Sequence, residues 1–305
     1  MSASPLIDRA IVRFGDTVGL PHRAAKQLVK ARRIVTHPFH FARRRQMART
    51  LPATRYSSLV SNEVGYARFN ANELPGQAAA MEACRTILHA WDNATPDGER
   101  KKKPFFFNIL RPEDVAAYPA IVDFIASPAM IEVTSGYLRQ VPRLFSMGLF
   151  VSETNGTTDS SQRFHVDFQD SRQLKCFMNL ETVAPENGPL TFVAADVTKR
   201  VLRALGRKAH ETWYDDEQIL SRCEPAAVQA LTGEAGSGAF VDTSRCLHFG
   251  SRTRAGRRAV LMLNFVPCPD AQVEKGKMDA GLALTRFPLP ERVTPFQRLL
   301  LARSL

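Results

Sequence analysis

From about residue 141 the chain changes texture, and that change limits its fold more than any other feature. The runs LFSMGLFV, QLKCFMNLET, PLTFV, GAFVDT and RRAVLMLNFV are short and β-rich, and turn signals such as NGT and ENGP separate them. Upstream, residues 56–140 read mostly as helix. Pro75-Gly76 precedes Met81, Cys84, Ile87, Leu88 and Trp91 at three- and four-residue spacing. Helices first, then many short antiparallel strands, predict an α+β protein on a double-sheet jelly roll with flanking helices. A helical insert is expected at about 196–231 and a short helix in TPFQRLLLARSL. At 305 residues the chain can bury a substantial core.

The charge is unevenly placed. Residues 1–55 hold twelve Lys/Arg against two acids, ten of the eleven net positive charges of the protein. The remainder is close to neutral. This arm reads as an amphipathic basic helix followed by an irregular basic stretch, THPFHFARRRQMARTLPATR. Three readings of it stay open: a solvated helix with a tail packing on the core, an anionic membrane surface or acidic partner engaged through residues 9–49, and nucleic acid. Nucleic acid is the least favoured, because few stacking aromatics beyond Phe39 and Phe41 interleave the basic residues. The Lys101–Lys103 run reads as a solvated loop. No stretch approaches the roughly 18–20 apolar residues that span a bilayer, and the first residues lack the pattern of a secretory signal. Five cysteines, none in a CxxC pair, fit free thiols in a reducing, cytoplasmic setting.

The chemistry concentrates in Arg163-Phe164-His165-Val166-Asp167-Phe168. In a strand, residues i and i+2 share a face about 7 Å apart, so an imidazole and a carboxylate so placed can converge on one metal. A second histidine from a distant strand would complete a 2-His-1-carboxylate triad, which leaves open positions suited to iron(II) oxygen chemistry. Alone, His-x-Asp is weak. With seven histidines it arises by chance in about a third of chains of this composition. The bland alternative is a strand-end histidine beside a surface aspartate.

Downstream material raises the odds. After His165 and Asp167 come the strand QLKCFMNLET, the turn Glu186-Asn187-Gly188-Pro189-Leu190, the strand Gly238-Ala239-Phe240-Val241-Asp242, and His248, 83 residues after the first histidine. Arg257-Arg258-Ala259-Val260-Leu261 follows. In this order the set resembles the phytanoyl-CoA dioxygenase-like branch of the 2-oxoglutarate oxygenases, over about residues 140–268. The resemblance implies iron(II) held by His165, Asp167 and His248, with 2-oxoglutarate as cosubstrate and dioxygen as oxidant. It further implies oxidation, most simply hydroxylation, of a C–H bond, with succinate and carbon dioxide as coproducts. Related halogenases lack the carboxylate, so Asp167 favours oxidation over halogenation. The far carboxylate of 2-oxoglutarate needs a buried, permanently charged, bidentate partner, the role of arginine. Adjacent strand residues face opposite ways, so only one of Arg257 and Arg258 can enter the barrel. The family's residue pattern favours Arg257 and the spacing from His248 favours Arg258; Arg257 is the preferred expectation. Thr191 could donate a hydrogen bond to the cosubstrate, or be a plain buried sheet residue.

The chain also departs from the family. It reads FVAADVTKRV where a Pro-Gly-Ser-His-like stretch is common, and Gly250 stands where a serine is frequent. Cys246, two before His248, reads more simply as a structural thiol. Lys175, Arg139 and Arg143 could meet an anionic substrate, although solvation is the plainer reading of each. No GxGxxG, P-loop or GxSxG element is present. The expected organisation is a basic helical arm at 1–55 and an oxygenase domain at 56–305, with its jelly-roll core at about 140–268. A small-molecule substrate is the first reading. The same chemistry on a protein or nucleic acid docked by the arm, and a jelly-roll binding protein without turnover, are the alternatives.

Overall fold

The computed structural model of the protein describes residues 4–20, 22–94, 105–167, 169–206, 213–267, 282–283 and 293–301. The Lys101–Lys103 run, His210 and Cys268 lie outside the described residues.

Three helices open the chain: α1 (Ser4–Thr17), α2 (His22–Thr36) and α3 (Pro38–Arg49). Strand β1 (Tyr66–Phe69) and the long helix α4 (Gln77–Asn93) follow. Next come β2 (Phe107–Asn108) and the helices α5 (Pro112–Ala117), α6 (Pro119–Ile125) and α7 (Pro128–Leu138). Then come β3 (Arg143–Glu153), β4 (Leu174–Asn179) and β5 (Thr191–Val193). The insert holds α8 (Ala195–Ala204) and α9 (Asp216–Leu220). Strands β6 (Val228–Ala230), β7 (Gly238–Val241), β8 (His248–Phe249) and β9 (Arg257–Val266) complete the sheets. A two-residue strand, β10 (Leu282–Ala283), and α10 (Pro295–Leu300) close the described chain.

Among the described residues the strands form two sheets, and every pairing between these strands is antiparallel. The larger runs β1-β7-β4-β9-β3-β10, with β2 also on β3; the smaller runs β6-β5-β8. Alternation along the central strands decides what each face meets. In β9, Ala259, Leu261, Leu263 and Phe265 join Cys176, Met178, Leu149 and Val151 in a core shared with α4, α6, α7 and α10. The other parity, Val260 and Met262, joins Phe150, Phe177, Ala239 and Val241, and these meet Leu190, Phe192 and Leu231 of the small sheet. The outer face of the large sheet therefore carries helices, while its inner face lines a barrel closed by the small sheet. This is a double-stranded β-helix, the α+β jelly roll expected from the runs of strands.

Two local expectations change. The stretch after Thr36, read as irregular, is mostly α3. Pro38 sits in its first turn, where its fixed φ and missing N–H suit a helix start. Phe41 packs on Phe145 and Val266. One turn on, the Arg44 Nη1 donates to the carbonyls of Val141 and Pro142, both at 2.9 Å, and its Nη2 donates to Leu299 O at 2.9 Å. A run of arginines hides a helix because one member is a buried clamp. The second change concerns the insert, which ends in a strand: β6 pairs with β5 and widens the small sheet.

Candidate metal centre

His165 and His248 come from segments far apart in sequence that meet as one antiparallel bridge. The His165 N–H donates to His248 O at 3.0 Å, and the His248 N–H returns to His165 O at 2.9 Å. Residues exchanging both bonds lie directly opposite, with side chains on one face. The ring centroids are accordingly 4.2 Å apart. Because His248 also stands opposite Phe192, that face is the barrel interior. On the other face, Phe164 and Phe249 pack edge to face at 4.8 Å.

Each ring is oriented by the carbonyl two residues before it. Nδ1 of His165 lies 2.8 Å from Arg163 O and Nδ1 of His248 lies 3.0 Å from Cys246 O. With Nδ1–H donating there, both Nε2 atoms keep their lone pairs for the cavity. Burial, and then the neighbouring His248, push the His165 pKa down to about 3; burial also lowers His248. Both rings are therefore neutral, the form that ligates metal.

Asp167 follows on the same face, its N–H bonded to Thr243 O at 2.8 Å. Its Oδ1 is 3.9 Å from Nε2 of His165 and its Oδ2 is 3.7 Å from Nε2 of His248. The three ligand atoms all lie within 4.8 Å of one another. Two side chains then hold Oδ2: the Lys175 Nζ donates at 2.6 Å and the Gln173 Nε2 at 3.1 Å. Gln173 also donates to the Thr243 hydroxyl at 2.7 Å. Burial alone would raise the Asp167 pKa, but the charge and hydrogen bond of the Lys175 ammonium outweigh it and hold the carboxyl well below its usual range. Two neutral imidazoles and one carboxylate, converging from one side, fit a divalent first-row ion with room for further ligands.

The two arginines separate by parity. Arg257, preferred from sequence, lies on the outer face, where Asp92 of α4 and Glu181 grip it; its Nη2 is 2.7 Å from Glu181 Oε1. These acids, Asp92 first, raise its pKa further. Arg258 shares the parity of Val260 and enters the barrel at 5 % exposure. The contact involving its Nη2 is with Ser251 Oγ, at 3.2 Å, and its Nε has no hydrogen-bond partner. No carboxylate among the described residues forms an ion pair with it, and burial pulls its pKa down to about 10. The preference for Arg257 is thus corrected: its guanidinium is spoken for outside the barrel.

Gly250 and Ser251 frame Arg258. A Cβ on Gly250 would come 3.3 Å from the Arg258 Nη2, so the serine expected there would press on the guanidinium. Ser251 supplies a hydroxyl instead, itself bonded from Ser152 at 2.9 Å, and holds a left-handed φ of 62° to do so. Such backbone strain concentrates at functional positions. Thr191 does not reach this interior. Its neighbours Leu190 and Phe192 take the inner face and Val193 the outer, so Thr191 points out with Val193, its hydroxyl 3.4 Å from Pro189 O.

Other candidates fall elsewhere. Cys246 is a buried thiol against the carbonyls of Val64 and Gly65, its pKa pushed up by burial. Arg139 is an exposed helix end with φ 58°, and Arg143 is buried beside Phe145. Three residues of the site were missed in these roles: Lys175 and Gln173 on Asp167, and Trp213, whose ring lies 4.8 Å from His165. Trp213 is placed by the bridge of Tyr214 to Phe164 and by α9, whose Asp216 receives both terminal nitrogens of Arg252 at 2.6 and 2.8 Å. A signal existed: Lys175 shares strand parity with the inward Phe177.

No family model and no curated protein matches the sequence. Solved structures do match it. EctD from S. alaskensis in its apo form is 16% identical, with a TM-score of 0.48, over 70% of this chain and 77% of that one. The non-heme alpha-ketoglutarate-dependent carbocyclase SnoK from nogalamycin biosynthesis is also 16% identical, with a TM-score of 0.48, over 76% and 90% of the two chains. HygX from Streptomyces hygroscopicus, with nickel and 2-oxoglutarate bound, is 14% identical, with a TM-score of 0.47, over 72% and 89%. These likenesses are too distant for function to be carried from those proteins to this one.

Proposed function

We propose that the chain is a mononuclear non-haem iron(II) oxygenase that uses 2-oxoglutarate to oxidise a C–H bond of a small organic molecule. The observation that carries this reading is Arg258. A guanidinium buried in a barrel without an acid partner is costly unless an anion joins it. It stands against Gly250, two residues along from His248, or about 7 Å of strand. A dicarboxylate reaching from the triad to Arg258 satisfies both ends.

His165, Asp167 and His248 would hold the iron, and Arg258 with Ser251 would receive the far carboxylate of 2-oxoglutarate. Bound there with dioxygen, iron and 2-oxoglutarate supply C–H oxidation, releasing succinate and carbon dioxide. The chain's own residues bind and orient. The Nδ1–carbonyl bonds fix both imidazoles, and Lys175 and Gln173 hold the Asp167 carboxylate in the position from which it would bind the metal. Phe150, Phe177, Leu190 and Val260 keep the interior dry. Trp213 packs on His165 from the insert and offers a flat apolar wall to a substrate.

The test is anaerobic. Iron(II), then 2-oxoglutarate, is added to metal-free protein while the visible spectrum is recorded. A weak charge-transfer band requiring both additions is expected. Arg258→Met should raise the 2-oxoglutarate needed for half the band by about 10- to 100-fold, the worth of a hydrogen-bonded charge, and Arg257→Met should leave it unchanged. Absence of the band in folded, iron-loaded protein would reject the reading.

A further inference from the structure

The basic arm is not used by this chemistry, and its surface is unusual. Six of the seven large apolar residues that stand exposed among the described residues belong to it: Ile7, Phe14, Val18, Leu28, Val35 and Phe39. Phe14 is 65 % exposed, Val35 77 % and Phe39 85 %. They are not scattered. Ile7, the half-buried Ile11 and Phe14 fall at helical spacing along one stripe of α1, with Val18 in the turn just past its end; Leu28 and Val35 are two turns apart on α2.

The inward faces of these helices are already engaged. In α1, Asp8 receives Arg32 Nε at 2.9 Å and Arg33 Nη2 at 2.7 Å from α2, and Gly15 lies against Ala25. In α3, Phe41 and Arg44 hold the core. The apolar stripes are thus what the arm turns outward, with the exposed cation Arg13 on α1 and the exposed cations Arg43, Arg45 and Arg49 on the neighbouring α3. An amphipathic helix in water normally hides its stripe. One that shows apolar residues and cations together matches a lipid interface, where side chains enter the acyl boundary and cations meet headgroups.

We infer that α1, α2 and the start of α3 dock the protein on an anionic lipid surface, with Phe14, Val18, Val35 and Phe39 entering it. Charge complementarity selects this occupant. A second copy would set a net charge of +5 over residues 4–39 (seven Lys/Arg less two Asp) against the same, and nucleic acid would satisfy the cations but leave the apolar stripes in water. No described helix is long and apolar enough to cross a membrane, so the contact is peripheral. This inference stands whether or not the iron reading does.

The experiment is co-sedimentation of the full chain with vesicles of phosphatidylcholine alone and of phosphatidylcholine containing about a third phosphatidylserine. Binding to the anionic vesicles at low salt is expected, at least tenfold weaker to the neutral ones and at least tenfold weaker in high salt. A Phe14→Ser, Val35→Ser, Phe39→Ser triple variant keeps every charge and alters only exposed positions. It should fold with an unchanged near-ultraviolet spectrum and lose at least tenfold in vesicle affinity. Three outcomes would overturn the inference: no binding to anionic vesicles, equal binding by the triple variant, or a wild-type dimer that the triple variant abolishes.

Discussion

Lys175 shows how much one charge can set at a metal centre. Its ammonium lies 2.6 Å from Asp167, so the metal-free triad is already neutralised. A divalent ion must enter against that positive charge, whereas a dianionic cosubstrate is drawn in by it. A unit charge at about 4 Å is worth about 4 kcal/mol at an effective dielectric of 20. Lys175→Met should therefore tighten binding of a divalent ion alone by at least tenfold and weaken 2-oxoglutarate by a similar factor. Separate titrations with cobalt(II) and then 2-oxoglutarate read the two effects, and a change of the same sign in both would refute the argument. His165 and Asp167 were legible in sequence because i, i+2 spacing in extended chain puts two side chains on one face, and His248 through its place in the ordered set of motifs that follows them. The choice between Arg257 and Arg258 was not. Both faces of β9 are buried, so no polar alternation marks which side is the interior.

At the scale of elements, runs of apolar residues between turn signals located β3, β4, β7 and β9, and three- and four-residue spacing located α4. What escaped was α3, because a stretch dense in arginine reads as solvated when one arginine is in fact a clamp. Arg44 gives three hydrogen bonds to carbonyls at 2.9 Å that join α3 to the entry of β3 and to α10. Arg44→Met should cost about 2–4 kcal/mol, since buried carbonyls lose a charged donor. Arg43→Met, exposed one position away, should cost less than about 0.5 kcal/mol. Urea unfolding of the two variants makes the comparison, and equal midpoints would show that α3 is held by Phe41 alone. The strand β6 escaped for another reason: three half-buried residues make no periodic signal.

For the whole molecule, a cation kept in the barrel without an acid sets fold stability against ligand binding. Ligand-free Arg258→Met should be more stable than wild type by about 1–4 kcal/mol, as for other buried charges replaced by apolar groups. Wild type should recover with the cosubstrate. At about 100 times its dissociation constant a ligand contributes about 2.7 kcal/mol, several degrees in melting temperature for a chain of this size. Anaerobic thermal melts with and without 2-oxoglutarate on the metal-loaded protein test this. A wild-type protein that does not respond, or a variant that responds equally, would contradict it.

The arm and the centre are joined by a short chain of contacts. Lys30 of α2 reaches Asp170 at 3.2 Å. Asp170 also accepts from the Arg172 N–H at 3.2 Å, in the turn that leads to Gln173, whose amide holds Asp167. Where occupancy of the centre shifts that turn, reciprocity applies: attachment at α2 and loading at Asp167 change each other's affinity by the same factor, with the same sign. On the two readings proposed above, one coupling constant would be readable from either end, and a lipid-bound fraction measured with and without metal would report on metal affinity through a helix that does not enter the site.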